Sequence, residues 1–225
     1  SVRPGVSGRE LDDLAERTLR AAGAEPSFKG YPGSNGKVFP ATLCVSVNSV
    51  VVHGLPTDLP LQEGDVVGLD IGARYQGLFT DMAMTIIVGK GSPEAERLIA
   101  VTEEALKAGI AEARPGATTG DIGSAVQALV EKVGFSVVKD LTGHGVGYAV
   151  HEPPRVPNFG RRGDGTRLFE GLVIAIEPMV LAGNSGAVRV APDGWTVVTA
   201  EPDVLAAHME HTVAVTADGA RVLTG

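Results

Sequence analysis

Carboxylates that close or open apolar runs are costly to place, and this chain has four of them. Asp70 ends the run Val66-Val67-Gly68-Leu69, and Asp81 stands early in the next β-like run. Glu177 follows Val173-Ile174-Ala175-Ile176 and precedes Pro178, and Glu210 leads into Thr212-Val213-Ala214-Val215. A charge beside such neighbours costs desolvation energy unless a partner offsets it. Taken singly, each could be a strand-end charge facing water. With His144, in Thr142-Gly143-His144-Gly145-Val146-Gly147, they form an oxygen-rich donor set containing one nitrogen and no thiolate. Four negative charges balance two divalent cations, and donors of this hardness suit paired Mn, Fe(II), Co or Zn rather than a structural zinc cage.

Asp70 and Asp81 belong to one hairpin, with Tyr75, Gln76 and Gly77 between them. A turn centred on Tyr75/Gln76 sets the two carboxylates directly opposite, with Cβ atoms about 4.5–5.5 Å apart. A bulge at Gly77 shifts that register by one. Opposed carboxylates repel unless a cation lies between them, and a solvated hairpin end is the equally ordinary alternative. His151, in His151-Glu152-Pro153-Pro154, follows His144 across a flexible, glycine-rich stretch. A lone histidine is more often a hydrogen-bonded structural residue. Two in a frame where glycines let backbone and imidazole approach an ion or substrate lean toward function.

The elements that must position these residues repeat. Arg3-Pro4-Gly5-Val6-Ser7 precedes Leu11, Leu14, Ala15, Leu19 and Ala22 at helical spacing. Arg114-Pro115-Gly116-Ala117-Thr118 precedes Ile122, Ala125, Val126, Leu129, Val130 and Val133 in the same way. Glu63-Gly64-Asp65-Val66-Val67-Gly68-Leu69-Asp70 likewise resembles Glu170-Gly171-Leu172-Val173-Ile174-Ala175-Ile176-Glu177, and both runs end on a carboxylate. The expectation is a single catalytic α+β domain over 1–225, built from two pseudo-symmetric halves, about 1–90 and 91–225. Antiparallel sheet and outer helices make up each half, and a site lies at their interface. Strands are expected at 43–52, 66–71, 80–88, 172–180, 187–191, 194–199 and 210–216. The second half opens with a helix capped by Ser92 and Pro93, which has no counterpart upstream of Arg3, so one N-terminal helix is expected to be missing from the first half.

Composition narrows the classes. With 44% hydrophobic and 20% charged residues, a net charge of -8 and no gathered run of Lys and Arg, a nucleic-acid or anionic-membrane surface is disfavoured. No stretch approaches a membrane span and no apolar signal segment opens the chain. The single cysteine, Cys44, excludes an internal disulfide and fits a reducing compartment, with cytoplasm the default.

The Asp70/Asp81 spacing, His144, Ile176-Glu177-Pro178-Met179 and Glu210-His211-Thr212 resemble the metal-ligand motifs of the type I methionine aminopeptidases, from about Arg3 to Thr216. That resemblance implies the pita-bread fold and removal of the initiator methionine from nascent polypeptide N-termini. It implies two divalent ions held by Asp70, Asp81, His144, Glu177 and Glu210, with Glu177 also accepting the water's proton. Val52-His53-Gly54-Leu55-Pro56 resembles the family's substrate-histidine motif, and His151 its second non-ligand histidine, so both imidazoles are expected to contact the peptide. By analogy, Phe39, Cys44 and Trp195, with Tyr31 nearby, form a side-chain pocket suited to a thioether; for Trp195 in Asp193-Gly194-Trp195, anchoring of a turn is an equal expectation. A monomer follows, and ribosome association stays open.

Two departures from the family pattern bear on selectivity. Tyr148-Ala149-Val150 stands where a basic and then a larger apolar residue are usual, so a smaller Val150 is expected to widen the methionine pocket. The segment Gly33 to Lys37 is longer than in many relatives. An aminopeptidase P or prolidase of the same fold suits the Gly-His-Gly and His-Glu runs, although the additional N-terminal domain usual in those enzymes is not expected here. A metal-free peptide-binding module on this fold is the alternative from a different class.

Overall fold

The computed structural model describes residues 1–33 and 36–225, so Ser34 and Asn35 of the lengthened segment lie outside the described residues. In chain order the elements are α1 (Gly8–Ala21), β1 (Glu25–Pro26), β2 (Leu43–Val47), β3 (Val50–Val52), β4 (Val66–Tyr75), β5 (Leu78–Ile87), α2 (Pro93–Glu112), α3 (Thr119–Lys132), β6 (Ser136–Val137), β7 (Thr142–Gly145), β8 (Glu152–Pro157), β9 (Val173–Ile176), β10 (Met179–Leu181), β11 (Val188–Val190), β12 (Val197–Thr199), β13 (Ala206–His208), β14 (Glu210–Thr216) and β15 (Gly219–Val222).

The helices start where the sequence signals them. Ser7 Oγ accepts from Glu10 N–H at 3.2 Å while Glu10 Oε2 accepts from Ser7 N–H at 2.8 Å. Thr118 and Asp121 reproduce both bonds at 3.2 and 2.8 Å. Each reciprocal pair satisfies helix donors that would otherwise lack partners. Ser92 caps α2, with Pro93 in its first turn.

The longest strands, β4 and β5, lie in a nine-stranded sheet with the path β1-β4-β5-β14-β9-β7-β8, to which β2 adds beside β4 and β15 beside β14. Three expected features differ. The run 43–52 is two strands, because Asn48 turns the chain at φ 56°. The run 172–180 breaks at Glu177-Pro178, where proline supplies no ladder donor. The glycine-rich run around His144, expected to be flexible, is strand β7, between β8 and β9. Its glycines serve close packing: a Cβ on Gly143 would strike the Ala175 carbonyl, and one on Gly145 the Pro153 carbonyl.

The sequence repeats reappear as repeated hydrogen bonds. Gly5 N–H donates to Leu61 O and Gly116 N–H to Leu168 O, both at 2.9 Å. Gly64 N–H reaches Val88 O at 2.7 Å and Gly171 N–H reaches Val215 O at 2.9 Å. Val88 N–H returns to Asp65 O and Val215 N–H to Leu172 O, both at 2.8 Å. Apolar clusters back the sheet: Leu11 of α1 packs with Leu43, Val45 and Val67. Ile122 packs with Ile174 and Ile176, and Leu98 packs with Val126 and Val180. Among the described residues no helix is long and apolar enough to cross a membrane.

Candidate metal centre

The β4–β5 hairpin corrects the expected opposition of Asp70 and Asp81. It closes with Tyr75 opposite Leu78, so that Gln76 and Gly77 form the two-residue turn. Both have positive φ, 50° and 86°, as the turn that best matches strand twist requires. Asp70 therefore faces Ala83, and Asp81 faces Gly72. The two carboxylates are diagonal neighbours on one sheet face. Thr212 fixes Asp81 from the neighbouring strand: its hydroxyl accepts from Asp81 N–H and donates to Asp81 O, each at 2.8 Å.

β14 places Glu210 opposite Ala83, and the break after β9 places Glu177, whose carbonyl accepts from buried Asn158 Nδ2 at 2.9 Å. On β7, His144 Nδ1 lies 2.9 Å from Gly145 O. A proton on Nδ1 makes that bond and leaves Nε2 a free lone pair. That nitrogen lies 3.5 Å from Glu177 Oε1 and 3.9 Å from Asp81 Oδ2. Donor atoms of Asp70, Asp81 and Glu210 converge within 4.8 Å of one another, as do those of His144, Glu177 and Glu210, so the two groups share Glu210. A third convergence joins Asp81 and His144 to His151.

The electrostatics fit cations. Asp70, Asp81 and Glu210 are 8%, 3% and 2% exposed, and Asp70 Oδ1 and Glu210 Oε1 are buried without a hydrogen-bond partner. Burial drives the Asp81 carboxyl well above the usual range, with Asp70 and Glu177 adding repulsion. Burial and then Asp81 do the same to Glu210, and burial raises Asp70 to about 6. Orphaned carboxylate oxygens that repel one another in a buried cluster with one imidazole lone pair are what hard divalent ions stabilise.

The cavity over this cluster gathers every other site residue identified from sequence: Tyr31, Phe39, Cys44, His53, His151 and Trp195. His53 sits in the left-handed region at φ 56°, a conformation that costs a non-glycine residue about 1 kcal/mol or more. It is held there by its neighbour, since Gly54 O accepts from Val45 N–H at 2.9 Å and a Cβ on Gly54 would strike that same segment. Burial lowers the His53 pKa. Burial, and then His144, lowers that of His151 to about 4, so both imidazoles are neutral near pH 7. His151 Nδ1 is 2.9 Å from Tyr31 Oη.

On the apolar side, Phe39 meets Trp195 edge to face, with centroids 5.3 Å apart. Trp195 both lines the cavity and anchors a turn, its N–H donating to Asp193 Oδ1 at 2.8 Å. Burial raises the Cys44 thiol pKa, so it acts as a small neutral hydrophobe. Val150 is buried in the cluster behind this wall, whereas Tyr148 is 87% exposed. Sequence reasoning passed over three residues that line the cavity, Phe28, Val52 and His208. For His208 the available signal was its place two residues before Glu210.

The family model of metallopeptidase family M24 matches residues 1–217. The methionine aminopeptidase of Clostridium perfringens is 49% identical over 223 residues, covering 99% of this chain and 87% of that one. The structure of a methionine aminopeptidase from Thermotoga maritima superposes with a TM-score of 0.94 at 42% identity, covering 99% and 87% of the two chains. The prolidase from Pyrococcus furiosus superposes at 0.77 with 27% identity, and the match spans all of this chain but 57% of that one. These neighbours share the pita-bread fold expected from the sequence. The chain belongs to metallopeptidase family M24, on its methionine aminopeptidase branch.

Proposed function

We propose that this protein is a two-metal aminopeptidase that releases the N-terminal, initiator methionine of nascent polypeptides. The observation that carries this reading is the shared position of Glu210 in two convergent donor groups, which together contain five side chains able to hold metal. Asp70, Asp81 and Glu210 would hold one ion, and His144, Glu177 and Glu210 the second. When bound, such ions supply Lewis-acid polarisation of the scissile carbonyl and make water acidic enough to attack near neutral pH.

The chain's own residues do the rest. Glu177 accepts the attacking water's proton and passes it to the leaving amine. His53 and His151, neutral and free of metal duty, donate hydrogen bonds to the peptide and to the oxyanion as it develops. Although His151 converges with Asp81 and His144, its Nδ1 is engaged by Tyr31, which favours a substrate role for its other nitrogen. Phe39, Cys44 and Trp195, backed by Phe28, enclose the methionine side chain in polarizable apolar surface.

The prolidase alternative is weaker, at 27% identity against 49%. A metal-free binding module leaves the orphaned carboxylate oxygens without a purpose. Nascent N-termini reaching a cytoplasmic monomer, at or near ribosomes, complete the proposal. It is tested by mass spectrometry of Met-Ala-Ser, Met-Ala-Met and N-acetylated Met-Ala-Ser after incubation: only the first methionine of the two free-amine peptides is expected to leave. Cleavage of the acetylated peptide, or at the internal bond, would overturn it.

A further inference from the structure

His208 belongs to the centre, although no motif assigns it. Its imidazole is 4% exposed, and Nε2 is buried without a hydrogen-bond partner. Two carboxylate oxygens lie near it: Glu177 Oε2 at 3.4 Å and Glu210 Oε2 at 3.8 Å. A proton on Nε2 makes this a buried N–H donor, destabilising unless it acquires an acceptor.

The internal repeat says what this position is. The matched hydrogen bonds pair Gly64 with Gly171 and Val88 with Val215, so first strands correspond at an offset of 171 − 64 = 107 and second strands at 215 − 88 = 127. Asp70 then corresponds to Glu177, Asp81 to His208, and Thr85 to Thr212. The correspondence extends to the backbone clamps. Just as Thr212 bonds both main-chain groups of Asp81, Thr85 Oγ1 donates to His208 O at 2.7 Å and accepts from His208 N–H at 2.9 Å. His208 thus occupies, in the second half, the place of a ligand in the first, and it is fixed with the same rigidity.

It does not do the same job. Among the described residues, His208 joins none of the groups of three donor atoms lying within 4.8 Å of one another. It stands on the far side of Glu177 from His144, with Oε1 facing His144 and Oε2 facing His208. We infer that His208 is a positioning residue whose Nε2–H holds Glu177 Oε2, so that Oε1 is presented to the ion shared with His144. This rests on the two-metal reading above and adds to it a sixth side chain outside the ligand set. Hydrogen bonding from outside of this kind is commonly worth about 10–100-fold in metal affinity.

The test is equilibrium dialysis of metal-stripped protein against Mn(II), with X-ray absorption of the Co(II)-loaded forms. The variants are H208L, which has no donor, H208N, whose donor is one methylene too short, and H208Q, whose amide N–H keeps comparable reach. We expect H208L and H208N to weaken one of two Mn(II) sites by about 10–100-fold, H208Q to recover most of that loss, and the average number of nitrogen ligands per cobalt to match wild type in all three. H208N keeps the measurement available if H208L does not fold. Unchanged affinity in both H208L and H208N would reduce His208 to packing, and a fall in nitrogen coordination would make it a ligand; either overturns the inference. Failure of the underlying two-metal reading is distinct, because wild type itself would then bind no stoichiometric Mn(II), and the inference would fall with it.

Discussion

Asp70 and Asp81 lie diagonally on one face of the β4–β5 ladder, two positions out of register, each facing a residue without charge, Ala83 and Gly72. Their carboxylates are close enough for each to disturb the other's protonation, and the cluster is strained without cations. Replacing Asp81 by Asn should therefore separate function from stability. Metal binding should fall from two equivalents toward one, because His144, Glu177 and Glu210 stay in place, whereas the metal-free variant should melt above the metal-free wild type. Relief of about 1 kcal/mol corresponds to about 2–4 °C for a chain of this size. Calorimetry of both chelated proteins checks it, and a lower midpoint in D81N would contradict it.

The same cluster sets a pH dependence for the chelated protein. Folding raises the carboxyl of Asp70 to about 6, so the folded state binds more protons than the unfolded state between its ordinary value and about pH 6. Stability therefore falls as pH rises through that window. Because His151, lowered to about 4, contributes with the opposite sign over the same window, the Asp70 contribution is read against D70N: between pH 4.5 and pH 6.5 the wild-type melting midpoint in EDTA is expected to drop relative to that of D70N. A flat or rising difference would refute the assignment of burial and repulsion at this site.

On the proposed assignment, His151→Ala removes a donor to the oxyanion and no ligand. Turnover should fall by about 10²–10³, with metal stoichiometry and the Kd for Mn(II) at wild-type values. Metal loss in that variant would instead promote His151 to a ligand, alongside Asp81 and His144.

Trp195 packs its ring edge against Phe39 and lies so close above Gly33 that a Cβ there would be 2.7 Å from the indole. Trp195→Ala should raise KM for Met-Ala-Ser by about 10–200-fold, the range for a lost apolar contact of 1–3 kcal/mol, and leave kcat within a few-fold. Gly33→Ala should act in the same direction by displacing the indole. A kcat effect without a KM effect would place Trp195 outside the side-chain pocket.

The candidate ligands were legible because a carboxylate at the end of an apolar run is anomalous without a partner, as at Asp70 and Glu177. The helix starts at Ser7 and Thr118 were legible because capping is local chemistry. Register was not, since it depends on whether Tyr75/Gln76 or Gln76/Gly77 occupies the turn, and only the three-dimensional hairpin selects the pair with positive φ at both positions. The glycines around His144 suggested a flexible stretch when they permit a strand between two close neighbours. His208 gave no motif, because its significance lies in the offset between second strands, and β13 is too short to show periodicity.

The most direct measurement is hydrolysis of Met-Ala-Ser, Leu-Ala-Ser and an X-Pro dipeptide by metal-stripped protein, with Mn, Co, Fe(II) or Zn added back. Metal-dependent release of methionine alone is the predicted result. Cleavage of only the X-Pro substrate, or of none with any metal, would contradict it.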